Sequence, residues 1–86
     1  MSSHITLVYL ARLRERFGAA RETLPLAGET TVAGLLETLR ARGGEFAVEL
    51  AAGRAFRVAV NQEVAGPEQR IVAGDEVAIF PPVTGG

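Results

Sequence analysis

The sequence predicts an α+β domain in which one main helix packs across a mixed β-sheet. Alternating apolar residues mark a strand at residues 4–10 and another at residues 76–80. A stretch with helical apolar spacing lies between them, at residues 31–42. If the first and last strands are neighbours, they run parallel, because a helical crossover separates them. We expect one domain over residues 1–80, followed by a flexible tail over residues 81–86.

The first third of the chain predicts two strands joined by a short helix. In the opening strand, Ile5, Leu7 and Tyr9 share one face, and apolar residues also occupy the other face, which is typical of a central strand. Residues 11–17 change to a helical pattern that ends at Gly18, a residue suited to the left-handed end of a helix. Residues 21–26 form a second strand, which Pro25 places at an edge of the sheet.

The main helix begins at Thr31, a favourable N-cap residue. Apolar residues then recur at the spacing of one helix face: Val32, Leu35, Leu36 and Leu39. Polar residues fill the other side, namely Glu37, Arg40 and Arg42, and Gly43-Gly44 ends the helix. Gly34 weakens the helix by ~0.5–1 kcal/mol relative to alanine, so we expect close backbone packing there.

The second half of the chain predicts three further segments. Residues 46–53 fit either a second short helix or an irregular apolar linker, and residues 56–60 alternate as a half-buried strand. Asn61-Gln62 interrupts that strand as a tight hairpin turn, because asparagine tolerates positive φ. Ile71 and Val72 anchor a short connection to the last strand, residues 76–80.

Composition excludes several functional classes. The 86 residues carry a formal net charge of −1, which gives no electrostatic footprint for nucleic acid. Cysteine is absent, which excludes disulfides, thiolate catalysis and cysteine-based zinc sites. All nine basic residues are arginine, so no lysine can form a Schiff base or accept self-conjugation. A lone His4 predicts no metal site, and with no signal peptide or apolar span we expect a cytoplasmic protein without membrane contact.

The last seven residues, Phe-Pro-Pro-Val-Thr-Gly-Gly, predict an arm that reaches into another protein. Pro81 and Pro82 lack a backbone N–H, so they end the preceding strand and stiffen the chain. Gly85 and Gly86 lack a Cβ, so they fit a channel too narrow for a side chain. The four residues from Val83 onward span at most ~13–14 Å when extended, enough to place a carboxylate in a partner's active site.

Three motifs resemble one known family. They are "ARLRERFG" at residues 11–18, "VNQEV" at residues 60–64 and "GDEVAIFPPVTGG" at residues 74–86. With them the chain resembles the ubiquitin-like β-grasp sulfur carriers of the MoaD/ThiS family, and within it the small subunits of molybdopterin synthase. The resemblance implies a ubiquitin-like β-grasp fold whose C-terminal carboxylate, at Gly86, is the reacting group.

The resemblance also implies a reaction and its partners. A MoeB-like enzyme would adenylate Gly86 with ATP and convert it to a thiocarboxylate. That group would pass sulfur to cyclic pyranopterin monophosphate in a heterotetramer with a MoaE-like large subunit. The catalytic groups would lie on that subunit, and no cofactor would be bound stably by this chain.

Family resemblance further implies which residues contact partners. The tail entering the partner's active site comprises Pro82, Val83, Thr84, Gly85 and Gly86. An exposed apolar patch for docking comprises Leu10, Val64 and Phe80. Four arginines are interpreted as solvated surface residues: Arg14, Arg40, Arg42 and Arg57. Of these, Arg14 is the one that the family motif also has.

Three other functions stay open at this stage. The chain could be a protein modifier that forms isopeptide bonds through Gly86, or a carrier that serves tRNA thiolation. It could also be a β-grasp interaction module with an inert tail. Sequence alone does not separate these readings.

Overall fold

The computed structural model describes residues 3–82, which form a ubiquitin-like β-grasp fold. Its main sheet has five strands: β1 (His4–Tyr9), β2 (Arg21–Pro25), β4 (Arg57–Val60), β5 (Glu63–Val64) and β7 (Glu76–Phe80). Two further strands form a small separate sheet: β3 (Thr30–Thr31) and β6 (Arg70–Ile71). The helices are α1 (Arg12–Phe17), α2 (Val32–Arg40) and α3 (Gly44–Glu49).

The main sheet is mixed, with strand order β2-β1-β7-β4-β5. Strands β1 and β7 pair in parallel at its centre, from Thr6 opposite Glu76 to Tyr9 opposite Ile79. Every other neighbouring pair in this sheet is antiparallel. The first and last strands are neighbours, and they run parallel as predicted for that case. The edge position of the strand that contains Pro25 is also confirmed.

The helices cover one face of this sheet and form the core with it. Each central strand buries alternate residues toward the helices, so β1 contributes Ile5, Leu7 and Tyr9, which are at most 1% exposed. The main helix contributes the four residues that the sequence predicted: Val32, Leu35, Leu36 and Leu39. Burial of apolar surface at ~25 cal/mol per Å² is the main force that holds the two layers together.

The start of the main helix is capped as predicted. The Thr31 hydroxyl oxygen accepts a hydrogen bond from the Gly34 backbone N–H at 3.1 Å. The helix is shorter than predicted, because it ends at Arg40 and the chain then turns through positive φ at Gly43 and Gly44. Gly44 begins α3 instead of ending α2, so the helical alternative for residues 46–53 is confirmed over Gly44–Glu49.

The close approach at Gly34 involves a side chain, not the backbone as expected. A Cβ at position 34 would overlap Oγ1 of Thr30. Thr30 belongs to β3, whose pairing with β6 the sequence did not predict. Ile71 and Val72 are interpreted from the sequence as part of a connection, but Ile71 belongs to β6 and is fully buried.

The hairpin and the turn before β7 are bonded to each other. Asn61 and Gln62 both have positive φ, as the tight hairpin requires. Asn61 Nδ2 donates to Asp75 Oδ1 at 3.0 Å, and its Oδ1 accepts from the Glu76 backbone N–H at 3.0 Å. Asp75 Oδ2 also accepts from the Val72 backbone N–H at 2.9 Å. Asn61 therefore fixes the start of β7 as well as the hairpin turn.

A polar and aromatic cluster closes the opposite end of β1. The Tyr9 hydroxyl donates to Glu22 Oε2 at 2.6 Å, and Arg42 binds both Glu22 oxygens at 2.8 and 2.9 Å. The Arg42 guanidinium lies 4.8 Å from the centroid of the Phe46 ring, which stacks on Phe17. Arg42 is exposed, as interpreted, and Arg40 is half-buried, but both also make structural contacts that the sequence did not predict. Arg42 holds β2 and α3 together, and Arg40 Nε donates to the Leu50 carbonyl.

This cluster shifts two pKa values in opposite directions. The paired hydrogen bonds from Arg42 are the main cause that holds the pKa of Glu22 below its ordinary value, although partial burial opposes them. Burial, followed by the hydrogen bond to Glu22, raises the pKa of Tyr9 well above its ordinary value. The ionised carboxylate and the neutral phenol are thus the stable forms in the folded protein.

Glu22→Gln should flatten the acid dependence of folding stability. A carboxyl group whose pKa falls on folding stabilises the protein above its unfolded pKa, and this contribution is lost as pH falls through the folded value. We expect the variant to lose about 1–2 kcal/mol at pH 7 and less at pH 3, because charge-assisted hydrogen bonds are removed. Urea unfolding between pH 7 and pH 3 measures both. Glu29→Gln, which removes an exposed ion pair with Arg70, is the control, and an equal effect in both variants would contradict the assignment.

Gly34→Ala should stabilise the protein only when Thr30 is shortened. In a Thr30→Ala background the new methyl group has space, so the helix propensity of alanine should add ~0.5–1 kcal/mol. In the parent chain Thr30 Oγ1 must first rotate away, and the gain should be smaller or negative. Unfolding free energies of the four chains in this double-mutant cycle give the coupling directly. Equal effects in both backgrounds would show that the contact has no energetic weight.

Candidate functional site: the exit of the C-terminal tail

The candidate site lies where β7 leaves the centre of the sheet. Val77 and Ile79 are fully buried toward the helices, while Phe80 is half-buried on the other face. The Leu10 N–H donates to the Ile79 carbonyl at 3.2 Å and extends the β1–β7 ladder by one residue. Pro81 and Pro82 follow, both half-buried, and neither has an N–H with which to continue pairing. The chain therefore leaves the sheet at a defined position, directly after Phe80 at the end of β7.

The sheet face away from the helices carries an apolar surface next to this exit. Cross-strand partners share a face, so the register places Val8, Ala78, Ala59 and Val64 in one row. The adjacent row continues from Phe80 to Arg57, with Leu10 beside Phe80. Ala59 is buried within its row, and we call the surface formed by the others the outer-face patch: Val8, Leu10, Val64, Ala78 and Phe80.

The three residues predicted to form a docking patch lie within this surface. Leu10 is 44% exposed, Val64 is 66% exposed and Phe80 is half-buried. The structure thus brings them to one face beside the tail. Their role in docking stays a prediction.

A groove lies on the other side of the tail. It encloses about 430 Å³ and is lined by six residues: Arg12, Gly53, Arg54, Ala55, Pro81 and Pro82. Beneath it lies Glu49, which is only 4% exposed and is held by both arginines. Arg12 Nε lies 3.4 Å from Glu49 Oε1, and Arg54 Nη2 lies 3.3 Å from each carboxylate oxygen. A buried carboxylate requires such partners, because an unpaired charge away from water is costly.

Sequence reasoning did not find this cluster. Glu49 follows Phe46 by three residues on the same short helix, so the two share the buried side of α3. That spacing was a usable signal that the glutamate points inward. Its partners come from α1 and from the turn after α3, and no local pattern connects those positions.

Most of the predicted tail lies outside the described residues. Pro82 is placed at the mouth of the groove, whereas Val83, Thr84, Gly85 and Gly86 fall beyond residues 3–82. Within the described residues, no group of three side chains could hold a metal ion, and no buried polar side-chain atom lacks a partner. No helix in residues 3–82 is long and apolar enough to cross a membrane.

The fold and this exit define a class: a ubiquitin-like β-grasp domain whose last strand delivers a Gly-Gly terminus. A sequence profile of the ThiS family matches residues 7–86, and the chain belongs to that family. The match spans nearly the whole domain and runs through the terminal glycines.

Named relatives and one solved structure agree with this assignment. The chain is 37% identical over 82 residues to the molybdopterin synthase sulfur carrier subunit of Escherichia coli, covering 95% of this chain and 99% of the relative. It is 34% identical over 83 residues to the protein of that name from Haemophilus influenzae, with the same coverage. The crystal structure of SAMP1, small archaeal modifier protein 1, from Haloferax volcanii superposes with a TM-score of 0.81 at 27% identity. That comparison covers 96% of this chain and 99% of SAMP1.

Proposed function

We propose that this protein is the sulfur carrier subunit of a molybdopterin synthase. One observation carries the proposal: near-full-length similarity to two proteins of that name, in a chain whose residues 7–86 match the ThiS family. The fold is compatible with this role, because the terminus is carried by a central strand and stiffened by Pro81 and Pro82.

The chemistry begins with the C-terminal carboxylate of Gly86. With an ordinary pKa of ~3.5 it is ionised at neutral pH and is a poor acyl donor, because an oxide would have to leave. Adenylation solves this problem: a carboxylate oxygen attacks the α-phosphate of ATP and pyrophosphate leaves. The terminal sulfur of a persulfide then attacks the carbonyl carbon and AMP leaves. A thiol cleaves the resulting sulfur–sulfur bond, and a thiocarboxylate remains.

The proposed partners supply the groups that this chain lacks. A MoeB-like enzyme would bind ATP and adenylate Gly86, and a MoaE-like large subunit would hold cyclic pyranopterin monophosphate with the acid–base groups. Each dithiolene needs two sulfur atoms, so two loaded carriers are consumed per product, in keeping with a heterotetramer. Within this scheme the carrier is a co-substrate, and the ATP and thiols it depends on place it in the cytoplasm.

A second candidate is a protein modifier that forms isopeptide bonds through Gly86. The structural similarity to SAMP1, a modifier by its name, favours it. Both functions start from the same acyl-adenylate and differ in the nucleophile, which is sulfur in one case and a lysine amine in the other. Conjugates of higher mass in extracts of cells that express the tagged chain would support the modifier function.

Thiocarboxylation of Gly86 is the primary test. After incubation with a MoeB-type enzyme, ATP and a persulfide donor, the intact chain should gain the mass of one oxygen-to-sulfur exchange, located in its C-terminal peptide. A chain without Gly85 and Gly86 should fold normally, gain no mass and form no dithiolene with the large subunit. An unchanged mass of the complete chain, with the enzyme active on another carrier, would reject the proposal.

Val64→Asp should weaken docking without weakening the fold. Val64 is 66% exposed on a two-residue edge strand, so its replacement should change stability by no more than ~0.5 kcal/mol. A charge within the outer-face patch should raise the KM for the carrier in ATP–pyrophosphate exchange by about tenfold. The matched control is Val48→Asp, an exposed valine of α3 in the helix layer. Equal KM values for the two variants would remove the outer-face patch from the docking surface.

A further inference from the structure

The groove beside the tail carries more positive charge than its ion pairs with Glu49 neutralise. Within residues 3–82, the ionisable residues that line the groove are Arg12 and Arg54, and their side chains are 48% and 46% exposed. Together with Glu49 they leave one net positive charge at the base of the tail. Each guanidinium has five N–H donors, and the contacts with Glu49 use Nε of Arg12 and Nη2 of Arg54. Among residues 3–82, Glu49 is the one side chain that these two guanidinium groups contact by an ion pair.

Glu49 makes this charge a fixed feature. Arg12 comes from the first turn of α1 and Arg54 from the turn after α3, and the one buried carboxylate joins them. An arginine held by one ion pair loses less conformational freedom when it binds a second anion, so the pair is organised before a partner arrives. Pro81 and Pro82 occupy the same groove and offer no backbone donor. The two arginine side chains are therefore the charged donors among the described residues that line the groove.

We propose that Arg12 and Arg54 form a carboxylate-binding clamp, which receives an acidic side chain of the protein that adenylates the tail. This inference rests on the proposed function, because it assumes that the tail enters such a protein. Arginine forks match planar carboxylates, and charge complementarity at a contact rim sets both encounter rate and register. The clamp thus recognises an acidic residue of the partner next to the channel that receives the tail.

Distance separates this clamp from the nucleotide. The α-phosphate of ATP must meet the carboxylate of Gly86, and four extended residues after Pro82 span up to ~13–14 Å. When the tail extends through a channel, the nucleotide that reacts with Gly86 therefore lies up to that distance from the groove. The anion that meets the clamp belongs to the partner protein's surface.

The test compares two chains that lose the same net charge. Arg12→Gln, Glu49→Gln and Arg54→Gln are combined in one variant, which removes two positive charges and one negative charge. Neutralising the whole cluster avoids leaving a buried charge unpaired, which is the strongly destabilising case. Arg70→Gln is the control, because it also removes one positive charge, from an exposed pair with Glu29 in the small sheet. Thermal unfolding confirms that each variant is folded.

ATP–pyrophosphate exchange with a MoeB-type enzyme gives the readout. The triple variant should raise the KM for the carrier about tenfold and leave kcat within about twofold, since a docking contact is lost while the reacting groups are intact. Arg70→Gln should change the KM by less than about twofold, and added salt should raise the parent KM more steeply than that of the triple variant.

Three outcomes would overturn the inference. Equal KM values for the triple variant and the parent would show that the clamp contacts nothing. Equal rises for the triple variant and Arg70→Gln would reduce the effect to net charge. A change in the KM for ATP instead of the carrier would assign the clamp to a phosphate. If the parent chain itself supports no exchange with an enzyme that activates another carrier, the proposed function fails first and the clamp fails with it.

Discussion

The parallel pairing of β1 with β7 is the constraint on which the rest of the structure depends. Parallel neighbours cannot be joined by a hairpin, so the chain must leave β1, cross the sheet through α2 and return. The C-terminal ends of both strands then lie side by side, with Tyr9 opposite Ile79. The tail consequently leaves from the middle of the sheet and is flanked on both sides. Leu10 and Phe80 open the outer-face patch, and Arg12, two residues after Leu10, begins the groove.

Two internal motifs, "VNQEV" and "GDEV", fix the start of β7 and so support its pairing with β1. Asn61 of "VNQEV" donates to Asp75 of "GDEV" and accepts from the backbone N–H of Glu76, the first residue of β7. Asp75 also accepts from the backbone N–H of Val72. These contacts lie at the end of β7 that is remote from the tail. By fixing where β7 begins, they fix which residues face the helices and which face outward, because a one-residue slip would exchange the two faces. Phe80 lies on the outer-face patch, and not in the core, because of a turn some five residues earlier.

What the sequence could predict corresponds to what is local. The capped helix at Thr31, the alternation of β1 and β7 and the positive-φ turn at Asn61 each depend on neighbours within a few residues, and each is confirmed. The misses are contacts between distant segments. Arg42 and Glu22 are twenty residues apart, and β3 and β6 are too short to carry any period. In the candidate site the apolar residues followed from strand parity, whereas the Arg12–Glu49–Arg54 cluster needed three elements brought together in space.

The tail alone cannot decide between a sulfur carrier and a protein modifier. Either function requires an activated acyl group on Gly86, and two residues without a Cβ suit any narrow channel. The β-grasp core is equally neutral, since SAMP1 shares it at a TM-score of 0.81. What differs between such proteins is the set of partners that accept the activated terminus, and partners are recognised by surfaces beside the tail. In this chain those surfaces are opposite in character, with an apolar face on one side of Pro81 and a cationic groove on the other. A partner that matches both places the tail in one direction only, and the fate of the acyl group is then set by the nucleophile waiting there.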